Sequence, residues 1–75
     1  MLHTVIKGTK TIAEFKEVKE RMESLTEKYY KAHKSACGDW KNGEPTKVWW
    51  DMDGNLCIEY ENGKWWHYNE QVEWW

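Results

Sequence analysis

Six of the seven tryptophans in this 75-residue chain stand in adjacent pairs: Trp49-Trp50, Trp65-Trp66 and Trp74-Trp75. Consecutive residues of a β-strand point to opposite faces of the sheet. If the pairs lie on strands, the tryptophans therefore cannot all serve one core. The aliphatic supply is thin, since Leu, Ile, Val and Phe together number eleven. Aromatic rings must supply much of the core, each burying more area than a valine. The rest of the aromatic content is left facing outward.

The last third of the chain supports the strand reading. Segments 47–51, 56–61 and 64–68 are rich in β-branched and aromatic residues. Asp53-Gly54-Asn55 and Asn62-Gly63 separate them, and both are strong hairpin signals. Upstream, apolar residues recur at Ile12, Phe15, Val18, Met22, Leu25, Tyr29 and Ala32, along one stripe of an amphipathic helix. Thr11 and Glu14 fit a capping box at its start. Glu17 with Arg21, and Glu27 with Lys31, are i, i+4 pairs in the favourable order. Lys28, Lys31 and Lys34 suit the negative end of the helix dipole, and Gly38 is a natural stop. The expected fold is α+β: a helix over about 11–35, a loop over 38–46, and a three-stranded antiparallel meander over 47–68. A short N-terminal strand over 3–7 would make it βαβββ, and the tail 69–75 reads equally as a further strand or a turn of helix. One domain spans 1–75.

Register decides which rings face the helix. A type I turn over Asp51–Gly54, with Gly54 in a left-handed bulge, sets Trp50 opposite Leu56 and Val48 opposite Ile58. The core face is then Val48, Trp50, Leu56, Ile58 and Tyr60, with Trp49, Cys57 and Glu59 behind it. The second hairpin has two readings. A two-residue Asn62-Gly63 turn puts Trp65 on the core face and leaves Trp49, Trp66 and Tyr68 outside. A bulged turn puts Trp66 and Tyr68 inside and leaves Trp49, Trp65 and His67 outside. Either way an aromatic patch faces away from the helix, to be covered by Val72, Trp74 and Trp75 or by a partner.

Charge narrows the partner. Residues 1–38 carry a balance of +3 and residues 39–75 a balance of −5. The aromatic half is the acidic half, which opposes a phosphate backbone. The apolar runs are too short to span a membrane. The chain opens without the basic and apolar regions of a secretory signal, so a cytoplasmic location with free thiols is expected.

Chemistry-bearing residues are sparse. His33, Cys37, Cys57 and His67 form a set that zinc accepts, with His33 and Cys37 at helical spacing. The close cysteine pair of zinc modules is missing, and Cys57 and His67 share a face only in the bulged register. Asp51, Asp53 and Asn55 resemble the opening of a calcium loop, but Asn62 stands where the closing glutamate belongs. A cysteine nucleophile would need a neighbouring histidine and an orienting third group, and nothing local assembles them. No phosphate-cradling loop or nucleophile elbow occurs. Neither an enzyme nor a cofactor is expected. Gly63-Lys64-Trp65-Trp66-His67-Tyr68 is similar to the Gly-Lys-Trp-Tyr-Tyr stretch of choline-binding cell-wall repeats. Those repeats stand in tandem on exported proteins, and the single copy here carries no function across.

The expected function is a small non-enzymatic protein-binding module, of the kind with which a phage or mobile element blocks a host protein. Trp49, Trp65, Trp66, Tyr68, Trp74 and Trp75 are its candidate contacts, because Trp and Tyr dominate binding hot spots. Asp51, Asp53, Glu59 and Glu61 are the candidate residues for orientation and on-rate. A homodimer whose patch is its own interface is one alternative. A single-stranded nucleic-acid binder, stacking bases on the sheet, is another.

Overall fold

The tryptophan pairs of the two hairpins do lie on strands, and alternation splits them. A computed structural model describes residues 2–75. Its elements are β1 (His3–Thr4), α1 (Ile12–Cys37), β2 (Pro45–Trp50), β3 (Leu56–Tyr60) and β4 (Trp65–Tyr68). The strands form one mixed sheet in the order β1-β2-β3-β4, with β1 parallel to β2 and the other pairs antiparallel. One helix on one sheet is the expected α+β arrangement, including the N-terminal strand.

The helix starts where the sequence places it. The Thr11 hydroxyl accepts the Glu14 amide at 3.1 Å. Glu14 reaches back one residue further than a capping box requires, accepting from the Lys10 amide at 3.0 Å. Gly38 caps the far end as expected, and the helix runs to Cys37, two residues past the expected bound. Glu27 and Lys31 pair at 2.8 Å; among the described residues, no ion pair joins Glu17 to Arg21. Twenty-six residues make a helix about 39 Å long, whereas strands of four to six residues span about 13–20 Å. The helix therefore overhangs the sheet. Ile12 and Phe15, at the start of the apolar stripe, are 77% and 43% exposed. Burial begins at Val18 and follows Met22, Thr26, Tyr29 and His33.

The three turns of the sheet share one construction. Gly54 N donates to Asp51 O at 3.3 Å and Asp51 N to Asn55 O at 2.9 Å; in the second hairpin Gly63 N donates to Tyr60 O and Tyr60 N to Lys64 O, both at 2.9 Å. Gly54 and Gly63 both have positive φ. The first hairpin thus has the expected register, with Trp50 opposite Leu56 and Val48 opposite Ile58. The second adopts the bulged register, with Ile58 opposite Trp66 and Leu56 opposite Tyr68. A two-residue type I′ turn would need positive φ at Asn62 as well, and Val72 is the sole non-glycine with positive φ among the described residues.

Val72 belongs to the third turn. Val72 N donates to Asn69 O at 3.0 Å and Asn69 N to Glu73 O at 3.2 Å, so the tail folds back as a hairpin with a valine in the glycine position. Trp74 bridges to Tyr68, and His67 and Trp75 exchange both main-chain hydrogen bonds. The tail is thus a rudimentary fifth strand. Alternation again sends Trp74 to the helix side and Trp75 to the opposite side.

Candidate functional site

Between sheet and helix, aromatic rings enclose a histidine. His33 is 3% exposed. Trp74 stacks on it at 4.4 Å, and Trp40, Trp66 and Tyr68 meet it edge-on at 4.9, 4.9 and 5.7 Å. Its Nδ1 lies 2.7 Å from the Tyr68 hydroxyl, which lies 2.7 Å from that of Tyr60. Burial lowers the His33 pKa and pushes the Tyr60 phenol up to about 12. The Tyr68 phenol is also raised, by burial first and then by its hydrogen bond with Tyr60. Two hydrogen bonds link the three side chains, and burial favours the uncharged form of each. Trp66, Tyr68 and Trp74, candidate contacts in the sequence, are parts of this core, because the bulged register turns them toward the helix.

The face away from the helix keeps the others. Trp49 lies 5.4 Å from Trp65, Trp65 lies 5.0 Å from His67, and Trp75 stacks on His67 at 5.1 Å with rings 3° from parallel. Trp65 is 47% exposed and Trp75 54%. Lys47 lies over the Trp49 ring at 5.4 Å. Lys47, Trp49, Val5, Lys7 and Trp50 border a cavity of about 290 Å³ at the β1 edge. That end of the face is basic.

The four candidate carboxylates differ in position. Asp53 and Glu61 are exposed at the two hairpin ends and Glu59 is half-buried on the outer face. Glu61 accepts the Glu44 amide at 2.6 Å, docking the 38–44 loop against the second hairpin. Asp51 is engaged within its own turn. Its Oδ1 accepts the amides of Asp53 and Asn55 at 2.9 and 2.8 Å, and its Oδ2 accepts Asn55 Nδ2 at 3.2 Å. Burial opposes ionisation of Asp51, but these hydrogen bonds and His67 hold its pKa below the ordinary value.

Beneath the aromatic row sits Cys57, between its register neighbours Trp49 and His67. It is fully buried although it points away from the helix. Burial, and then the Asp51 charge, push its thiol up to about 11. Donor atoms of Asp51, Cys57 and His67 all lie within 4.8 Å of one another. The bulged register alone puts Cys57 and His67 on one face, whereas nothing in the sequence pattern adds Asp51, whose placement depends on the turn that it caps. His33 and Cys37 belong to α1, and His33 faces the core, so the sequence-derived zinc quartet is not assembled. The histidine and cysteine of the outer face have a carboxylate beside them instead. As a nucleophile site the trio is poorly arranged. His67 turns Nε2 toward Asp51 at 3.8 Å, and among the described residues no hydrogen bond joins it to a thiol that favours its protonated form.

No helix among the described residues is long and apolar enough to cross a membrane. No protein-family model matches the chain, and no match to it is found among curated proteins or solved structures.

Proposed function

We propose that the protein is a small non-enzymatic protein-binding module whose contact surface is the sheet face away from α1. The observation that carries the reading is the unbroken outer row Trp49, Trp65, His67 and Trp75. The core is already complete with Trp66, Trp74 and Trp40, so these rings are surplus to folding. Rigid aromatic rings give a partner large contact area at small entropic cost. Asp53, Glu59 and Glu61 supply negative charge around the row, and Lys47 supplies a positive point within it. A module of this kind acts by occupying a partner's surface, as an inhibitor or adaptor does.

The test is affinity capture with the full chain as bait, beside Trp49→Ala, Trp65→Ala and a Trp49→Ala/Trp65→Ala double variant, each verified as folded by circular dichroism. The reading expects one set of captured proteins to be lost progressively across the variants. Capture of the same proteins by the double variant would overturn it. Sedimentation of the parent protein addresses the homodimer alternative: a dimer that the same substitutions dissociate would make the row a self-interface.

A further inference from the structure

We propose that Asp51, Cys57 and His67 form a binding site for one zinc-class divalent cation, through Asp51 Oδ2, Cys57 Sγ and His67 Nε2. His67 supplies the first argument. Its Nδ1 lies 3.3 Å from the Trp75 carbonyl oxygen, and a carbonyl only accepts, so Nδ1 carries the proton in this contact. In the neutral ring Nε2 is then a bare lone pair, and it faces the Asp51 carboxylate at 3.8 Å. A proton on Nε2 makes this contact an ion pair; with the ring neutral, the same lone pair and carboxylate oxygen are two donors that a cation bridges. Metal-binding histidines are commonly oriented in this way, by donating the other ring N–H to a backbone carbonyl.

The spacing of the donors also suits zinc. Tetrahedral zinc, with bonds of about 2.0–2.1 Å to N and O and about 2.3 Å to S, sets its donors about 3.3–3.6 Å apart. The three donors, all within 4.8 Å of one another, need to converge by at most about 1.5 Å. Asp51 is held in place by its three hydrogen bonds, and the pairing of β3 with β4 places Cys57 beside His67. A mixed N, S, O set suits zinc better than calcium or magnesium, which prefer oxygen alone. Binding replaces the S–H bond of Cys57 with a sulfur–metal bond and releases that proton to solvent. The fourth position is left to water or to a donor from a partner. The site stands independently of the protein-binding reading, because purified protein decides it without any partner.

The experiment titrates metal-free, full-length protein with Zn²⁺ against a chromophoric chelator, and repeats the titration with Co²⁺. One equivalent should bind, the thermal midpoint should rise with zinc, and cobalt should produce a thiolate charge-transfer band. Cys57→Ser and His67→Gln should weaken binding at least tenfold, as loss of a ligand requires, and Cys37→Ser should leave it unchanged. Failure to bind one equivalent, absence of the charge-transfer band, or loss of binding through Cys37→Ser and not Cys57→Ser would each overturn the proposal. If Cys57→Ser does not fold, the cobalt spectrum of the parent protein decides whether a thiolate is a ligand.

Discussion

His33 Nδ1 and the Tyr68 hydroxyl meet at 2.7 Å inside the core, joining the last turns of α1 to the final strand of the meander. Because burial disfavours the imidazolium, the neutral ring, the Tyr68 hydroxyl and the Tyr60 hydroxyl are joined in one line by two hydrogen bonds, and the line needs no charge.

This arrangement sets a pH dependence. The folded-state pKa of His33 lies below its unfolded value, so between the two the unfolded chain binds more protons. The stabilising contribution is complete above about 6.5, the unfolded pKa of histidine, and is lost as pH falls toward the folded value. Urea midpoints measured from pH 8 to 5 should fall on the acid side, and His33→Gln should flatten that slope.

Tyr68→Phe leaves His33 Nδ1 and the Tyr60 hydroxyl without their shared partner. Unpaired buried polar groups cost about 1–3 kcal/mol, so chemical denaturation should show a loss of that order. The stacking of Tyr68 on Tyr29, 5.5 Å apart and 5° from parallel, survives the substitution.

The tryptophans should divide by face. Trp74→Ala and Trp66→Ala remove rings packed on the core, and each should cost about 2–4 kcal/mol, somewhat under the full value for a buried ring. Trp65→Ala should cost less than about 1 kcal/mol, because its ring is nearly half exposed. Equilibrium unfolding of the three variants checks the ordering.

The two cysteines should differ in reactivity. Cys37 is exposed and Cys57 buried, and burial, then the Asp51 charge, push the Cys57 thiol up to about 11. At pH 7.5 an alkylating reagent should modify one thiol in native protein and two in urea, with mass spectrometry of the peptides placing the first at Cys37.

The tail depends on Asn69. Its Oδ1 accepts the amides of Gln71 and Glu73, both at 3.0 Å, as Asp51 does in its own turn. These bonds hold Val72 at a φ of 58°, a left-handed conformation that costs an L-residue about 1–2 kcal/mol. Asn69→Ala should release the tail, raising amide exchange at Trp75 and shifting tryptophan fluorescence as Trp74 leaves His33.

Local rules account for most of the fold. Thr11, Glu14 and Gly38 delimit the helix, and Gly54 and Gly63 locate the hairpins, because caps and turns are settled by contacts within a few residues. Asn62-Gly63 shows where such rules stop. The dipeptide suits both a two-residue and a bulged turn, and the choice rested on what lies across the sheet. Burying Trp66 and Tyr68 around His33 favours the bulge, whereas the other register would place Trp65 inside. Trp40 stands in a loop-like segment and carries no periodic signal, yet it helps close the box around His33, 4.9 Å from that ring.

The adjacent tryptophans by themselves determined that aromatic surface would remain after the core was built, since alternation along a strand is a property of the backbone. They did not determine which rings remained. That was decided by the register of the second hairpin and the fold-back of the tail, which send Trp66 and Trp74 to the helix and leave Trp49, Trp65 and Trp75 outside. The same register, with the cap that Asp51 forms on its own turn, also brings Asp51, Cys57 and His67 together. Those residues span seventeen positions in sequence, and only long-range strand pairing places their side chains side by side.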